Sequence, residues 1–350
     1  MYSSNGDLFA IESNLEIVAL TKHDVIRKTD KVDLFCGLIK EHEGMYPDIK
    51  AWFQNKVLPG IENGNRKAYY CLNNDEPIAT AIVKIGRMAK FCHLHIREEE
   101  RNRHLGDLFF SKMAMDVKRI AKEVHFTVPE TLWVEKKAFF QSFGFAEAKK
   151  ATRQYRAFED ELKCSASFDT VWEKVLEKIP VIIQNFTKGA DNIFNGLVIS
   201  IKPQHVKKIE KGEKLVEIRK KFNAKWINCR ATIYSSSPEK KLHGHARISD
   251  VIKKSPGEIW EKFGSEIGCS KEDFNRYTET SSQVYAILLK DYQAYTSPLY
   301  LSHLSYLLQK DLTPPQSHLS LEKSDLWVGA VSVAELLHGR FQLRSSGLFY

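Results

Sequence analysis

The sequence contains no apolar stretch approaching the ~20 residues that a membrane-spanning helix needs, so no such helix is expected. It has no CxxC pair and no histidine pair at zinc spacing. Cys36, Cys71, Cys92, Cys164, Cys229 and Cys269 are scattered through 350 residues, which argues against a metal site or a disulfide framework. The opening segment MYSSNGDLFAIESN lacks the basic start and apolar core of a signal peptide, so the expected compartment is cytoplasmic, with the cysteines as thiols. Internal repeats and low-complexity tracts are missing too.

What the chain does have is a folding composition: 43% hydrophobic and 11% aromatic residues over 350 positions, enough for about two domains with a core each. Its formal net charge of +8 attracts polyanions such as nucleic acid, nucleotides or coenzyme phosphates without choosing among them. The charge is concentrated. Between Lys202 and Arg230 ten basic residues face three acidic ones, Glu210, Glu213 and Glu217. A solvated lysine-rich surface would look the same. The excess, however, surrounds the stretch GEKLVEIRK, Gly212 to Lys220, where period-two alternation puts Leu215, Glu217 and Arg219 on one face and Val216 and Ile218 on the other. A strand with one charged side must direct it at something, which favours an anion-binding face.

Along the chain, LEIVALT (15–21) reads as a strand, and 24–63 as a helical region interrupted by Pro47 and Pro59. AYYCLNN and PIATAIVKI, parted by Asp75 and Glu76, and FCHLHI (91–96) read as strands. A helix follows from Gly106 to Val124 with Leu108, Phe109, Met113, Ile120 and Val124 as its apolar side; then come the short strand VHFTV, the helix KAFFQSF and a closing strand ATRQYRAF (151–158). This succession predicts an α/β or α+β domain over 1–163. A helical linker over 164–195 has a helix from about Asp169 that Pro180 bends or stops. From 196 to 321 LVISIKP, LVEIRKKF, WINCRATIYSS, HGHARISDVI and VYAILLKDYQAY predict a mostly β barrel, with a capped helix SPGEIWEKFG between the last two. The tail 322–350 offers one helix, VSVAELLHG, and no assignable role.

The run HIREEERNRHLGDLFFSKM places a strand, a basic turn and a helix start in succession. Free amides and the positive end of a helix dipole converge at such a turn, each dipole contact with an anion contributing on the order of 0.3 to 1 kcal/mol. Over residues 15–158 the chain resembles the GNAT acetyltransferases: Arg101, His104 and Gly106 fall on the marked positions of their R/QxxGxG/A loop, and AFFQSFGF (138–145) on their later LYxxxGF-like helix. The resemblance implies a mixed sheet splayed to admit the pantetheine arm of acetyl-CoA. Backbone groups of Leu94 and Ile96 would pair with that arm, and amides of Asn102, Arg103, His104, Leu105, Gly106 and Asp107 would hold the pyrophosphate beside Arg101. The chain departs from the pattern at four places. His104 replaces a glycine and is expected to keep ordinary dihedrals, Asp107 brings a negative charge, Phe140 stands at the usual tyrosine, and Trp133 stands near the usual asparagine. A base for direct transfer is sought in His93 and His95, which alternate to one face with ordinary values near 6.5; the competing reading has both packed and inert. Glu98, Glu99 and Glu100 are solvated loop charge from which a base can be recruited.

GEKLVEIRK also fits GxKxxExR, with Gly212, Lys214, Glu217 and Arg219 on the marked positions, and so resembles the ASCH family with its PUA-like barrel. IKP (201–203), YSSSP (234–238), SPGEIWEKFG, YAILL and PPQS (314–317) extend the resemblance over 196–321. It implies RNA or nucleotide binding. Lys202, Lys214, Glu217, Arg219, Lys220, Lys225 and Ser235 are the expected contacts, cations on phosphate and the carboxylate on a base amino group. One branch of the family removes acetyl from 4-acetylcytidine, using the motif lysine with a threonine where Glu217 stands here. The expected function is an acetyl-CoA-dependent N-acetyltransferase joined to an RNA- or nucleotide-binding domain. The alternatives are a non-catalytic GNAT-like fold with an RNA-binding regulator, and an amidohydrolase in the barrel.

Overall fold

A computed structural model describes residues 12–44, 46, 48–101, 103–152, 160–186, 193–338 and 340–344. The chain divides into an N-terminal unit, residues 1–186 with 339–350, and a C-terminal unit, 187–338.

The N-terminal unit is built on an eight-stranded sheet in the order β14-β1-β2-β3-β4-β5-β7-β6. Its strands are β1 (Glu12–Ala19), β2 (Arg66–Asn73), β3 (Glu76–Lys84), β4 (Met88–Ile96), β5 (Glu123–Pro129), β6 (Ala148–Lys150), β7 (Glu161–Ser167) and β14 (Arg340–Arg344). β2 and β3 form a hairpin whose turn residues, Asn74 and Asp75, both have positive φ, 49° and 67°. A two-residue turn of that hand matches the twist of the strands. β4 and β5 are the parallel pair, bonded only from Met88 to Lys90 against Glu123 to His125. Beyond Lys90, β4 runs on to Ile96 paired with β3 alone, which leaves the other edge of Phe91–Ile96 open.

Helices α1 (Lys22–Arg27), α2 (Asp30–Lys40), α3 (Ile49–Trp52) and α4 (Leu58–Glu62) cover one face, with Phe35 and Phe53 stacked 5.2 Å apart in its core. Pro59 does not interrupt the helix as expected. The backbone passes from α3 through a π turn, Phe53–Val57, directly into α4, and Pro59 sits just after that turn. Pro47 lies outside the described residues. α5 (Leu105–Val117) and α6 (Glu130–Ser142) follow β4 and β5. The helix expected to reach Val124 stops at Val117; Ile120 is exposed and Val124 belongs to β5.

Most of the expected closing strand lies outside the described residues. The expected linker over 164–195 is instead the end of β7 and α7 (Phe168–Phe186), both parts of the N-terminal unit. α7 continues past Pro180 and buries Ile182, Ile183 and Phe186 beyond it.

The C-terminal unit carries the half-barrel, a six-stranded sheet in the order β13-β8-β10-β11-β12-β9. Its strands are β8 (Leu197–Ile201), β9 (Val216–Arg219), β10 (Arg230–Ser235), β11 (Lys241–Lys254), β12 (Val284–Tyr300) and β13 (His318–Ser320). Three register shifts between β11 and β12 bend these long strands. α9 (Pro256–Phe263) has the expected capping box of Ser255 and Glu258. Four further helices are α8 (Pro203–Glu210), α10 (Lys271–Thr278), α11 (Leu301–Leu308) and α12 (Asp325–His338). The tail therefore has two roles: α12 packs in this unit, and β14 pairs antiparallel with β1 at the edge of the other sheet.

Candidate functional site

In the N-terminal unit the sequence-derived cofactor residues gather where β4 meets α5. Leu94 and Ile96 lie on the open stretch of β4. Arg101 follows a short 3-10 turn, Glu98–Glu100, and its Nε donates to the Ile96 carbonyl at 3.4 Å. Arg103 is committed to Glu100 at 2.8 Å, and Glu100 also accepts from Asn73 at 3.4 Å. Glu100 is therefore tied down rather than solvated. Asn102 lies outside the described residues. Leu105 is buried, so only its backbone serves. A Cβ on Gly106 would meet the Phe139 ring at 3.3 Å, which explains glycine there.

Two expectations about this turn are corrected. His104 does not keep ordinary dihedrals; it is left-handed, φ 59° and ψ 11°, and precedes the first residue of α5. Histidine is among the non-glycine residues found more often in αL, at a cost of about 1–2 kcal/mol. Asp107 is not a bare negative charge, because Lys178 of α7 lies 3.5 Å from one oxygen and His104 Nδ1 3.3 Å from the other. An open strand edge beside a helix N-terminus whose acidic residue is paired with Lys178 fits acetyl-CoA.

His93 and His95 do share a face, opposite Ile82 and Thr80 on β3, with a bulge at Cys92 between the two halves of the strand. It is the face that α1–α4 cover. His93 Nε2 lies 2.9 Å from Thr80 Oγ1, and the ring of His42, just beyond α2, packs 3.8 Å from His95 and 5.6 Å from His93. Ordinary basicity is not observed. Burial, with His42 and His95 beside it, lowers His93 to about 3. Burial, with His42, Arg101 and Arg97, lowers His95 to about 4 despite Glu99. Both rings are neutral at pH 7 and are weak proton acceptors. Trp133 and Phe140 are buried and stacked, centroids 5.6 Å apart, so they pack the core where the family pattern has hydrogen-bonding groups.

In the C-terminal unit the motif residues come together, with Lys214 in a different role from the expected one. Lys214 does not line a groove. It is 3% exposed, and its Nζ donates to the carbonyls of Val216 (2.8 Å) and Ile267 (2.7 Å) and lies 3.2 Å from Glu217 Oε2. Every donor of the ammonium is used internally. Glu217 is buried as well; its other oxygen lies 2.9 Å from Arg219 Nε. Burial raises the Glu217 carboxyl, but Lys214 and then Arg219 outweigh it and hold it below its usual value. The chain of charge ends at Arg219, which is half-buried and donates through Nη2 to the Ser200 carbonyl (2.5 Å) and through Nη1 to Ser317 Oγ (3.3 Å).

Around Arg219 the surface is cationic. Lys220 is exposed and donates to Thr280 Oγ1 at 3.0 Å, with its Nζ 5.3 Å from the Tyr277 ring centroid. Lys225 lies over Trp226 at 4.3 Å. Lys202, the N-cap of α8, is exposed on the side of His205, whose neighbours also include Lys214 and Glu217. Ser235 does not belong here. It is fully buried and donates to Glu239 at 2.9 Å, next to His243 and Lys207. Sequence reasoning missed Tyr277, Thr280, Ser317 and His318; Ser317 alone had a signal, as the last residue of PPQS.

Among the described residues, no group of three histidine, cysteine, aspartate or glutamate side chains is arranged to hold a metal ion, and no helix is long and apolar enough to cross a membrane. A family model described as a domain of unknown function, DUF365, matches residues 181–306. The chain is 30% identical over 128 residues to an "ASCH domain-containing ribonuclease" of Zymomonas mobilis, covering 37% of this chain and 85% of that protein. The crystal structure of ASCH from Zymomonas mobilis is 28% identical and superposes on 38% of this chain and 92% of its own, with a TM-score of 0.35. An acetyltransferase of Thermus thermophilus is 18% identical and superposes on 44% of this chain and 96% of its own, with a TM-score of 0.29.

Proposed function

The chain belongs to the ASCH-domain family through its C-terminal unit, and on that premise we propose that it is an RNA-directed acetyltransferase: the C-terminal unit holds an RNA strand or a nucleotide, and the N-terminal unit takes acetyl-CoA. The observation that carries the reading is the Lys214–Glu217–Arg219 chain, which spends its two inner members on holding the third. Glu217 and the Ser200 carbonyl fix the Arg219 guanidinium, and a fixed planar cation is suited to phosphate. Lys220 and Lys225 extend the positive surface on either side. The Zymomonas relative is named for ribonuclease activity, which supports RNA as the polyanion.

For the N-terminal unit the support is the open edge of Phe91–Ile96 beside the first turn of α5. When bound there, acetyl-CoA supplies the activated acetyl group. Leu94 and Ile96 would align its amide-bearing arm, and the first amides of α5 with Arg101 would hold its phosphates, while His95, lowered to about 4, is too weak a base to take the proton of an ammonium acceptor. A second reading, a CoA-binding fold without transfer chemistry, is favoured by the Trp133–Phe140 stack and the weak basicity of both strand histidines.

Two titrations test the proposal. Micromolar acetyl-CoA should raise the melting temperature, and Arg101→Glu should weaken that shift; no shift at millimolar acetyl-CoA ends the acetyltransferase half. RNA binding measured against salt should lose about one unit of slope in Arg219→Ala, with strand length followed to detect cleavage. Unchanged binding removes this face from the RNA site.

A further inference from the structure

Arg219 and Lys220 stand between two aromatic rings that neither the charge chain nor the barrel core requires. On one side is Tyr277 of α10, 45% exposed. Lys220 holds it in place, with Nζ 5.3 Å from the ring centroid and bonded to Thr280 Oγ1 at 3.0 Å. On the other side Arg219 Nη1 reaches Ser317 Oγ at 3.3 Å, and that oxygen lies 3.5 Å from His318 Nδ1. The His318 ring rests against Phe222, centroids 5.0 Å apart, so it is supported from behind.

We propose that Tyr277 and His318 are nucleobase-stacking platforms flanking the Arg219–Lys220 phosphate contact, and that they make the site read unpaired rather than duplex strands. The proposal rests on the RNA reading given above. Its physical basis is the order ring, cation, cation, ring, which matches the order base, phosphate, base along an unpaired strand. Every base offers a π face, so ring platforms bind strands with little sequence preference. In an A-form duplex those faces are covered by neighbouring bases, and a protein meets only backbone and groove edges. A purely electrostatic face would hold both forms. His318 meets a base as a neutral ring, since burial, Arg219 and Lys225 all lower its proton affinity.

The test uses the full chain and three labelled RNAs of equal length: unpaired poly(U), a duplex, and a strand with abasic positions replacing the bases. Anisotropy titrations should show tight binding of poly(U) and weaker binding of the duplex. Tyr277→Ala should lose about tenfold on poly(U), as expected for one stacking contact, and little on the abasic strand; Tyr277→Phe should restore it. His318→Ala should repeat the pattern, whereas Arg219→Ala should weaken all three RNAs. Equal losses on poly(U) and the abasic strand, or no loss from either ring, overturn the platforms while leaving the RNA reading intact. Failure of the wild-type chain to bind any of the three overturns both.

Discussion

Arg230 on β10 and Glu335 on α12 form a fully enclosed ion pair, 105 residues apart in sequence. Tyr295 donates to the same carboxylate at 2.8 Å, and His245 Nδ1 lies 2.7 Å from the same guanidinium. Through this network the last helix joins the half-barrel. Removing one partner leaves a buried charge without compensation, which costs about 3–5 kcal/mol. Glu335→Ala should therefore lower the urea midpoint strongly. Arg230→Met with Glu335→Leu, which removes both charges and keeps volume, should recover most of the loss. A midpoint unchanged in Glu335→Ala would mean that α12 is not anchored by this pair.

The histidine cluster gives a pH dependence whose direction follows from its burial. His93 at about 3 and His95 at about 4 are neutral in the folded chain at pH values where the unfolded chain, near 6.5, is charged. The unfolded state then binds more protons, so stability rises with pH. The contribution is complete above about 6.5 and is lost as pH falls from there toward 4. Glu41, Glu99, Arg97 and Arg101 surround the cluster, and the arginines oppose its protonation. Thermal melts should fall steeply between pH 6.5 and 4, and His93→Gln with His95→Gln should flatten that limb. Identical limbs in wild type and variant would contradict the burial.

Much of the architecture was legible because alternation and turn chemistry are local. The β2–β3 hairpin, the strand before Gly106 and the Ser255 cap all have short signatures, although the hairpin turn falls at Asn74–Asp75, one residue before the expected Asp75–Glu76. The site was only half legible. GxKxxExR brought Lys214, Glu217 and Arg219 together, yet alternation cannot say that the segment around Ile267 closes over Lys214. It also put Leu215 and Glu217 on one face, yet Leu215, just before β9 begins, is 46% exposed while Glu217 is buried along with Val216 and Ile218. α8 and α10 escaped because each shows few buried positions, Val206 and Ile209 in one, Phe274 and Thr278 in the other. With α10 went Tyr277.

His104 carries a backbone conformation that its side chain does not favour. His104→Gly should stabilise the chain slightly, since relief of about 1–2 kcal/mol of left-handed strain is partly offset by the entropy glycine adds to the unfolded state, ~0.5–1 kcal/mol. His104→Val should destabilise it, as a β-branched residue bears αL poorly. The comparison of midpoints checks the turn geometry directly. A stabilising valine would show that the turn is not left-handed in solution.

Lys214 and Arg219 belong to one motif, but the structure separates their contributions. Lys214→Ala takes an ammonium away from two carbonyls and a buried carboxylate, so its effect should fall on folding, about 3–5 kcal/mol by the cost of an uncompensated buried charge. Glu217→Gln in that background should recover part of it. Arg219→Ala, at the partly exposed end, should change stability by less and RNA affinity by more. Denaturation midpoints and RNA titrations on the same two variants distinguish this from a groove in which both cations touch phosphate. In that case the two would lose similar affinity and salt slope, and Lys214→Ala would melt like the wild type.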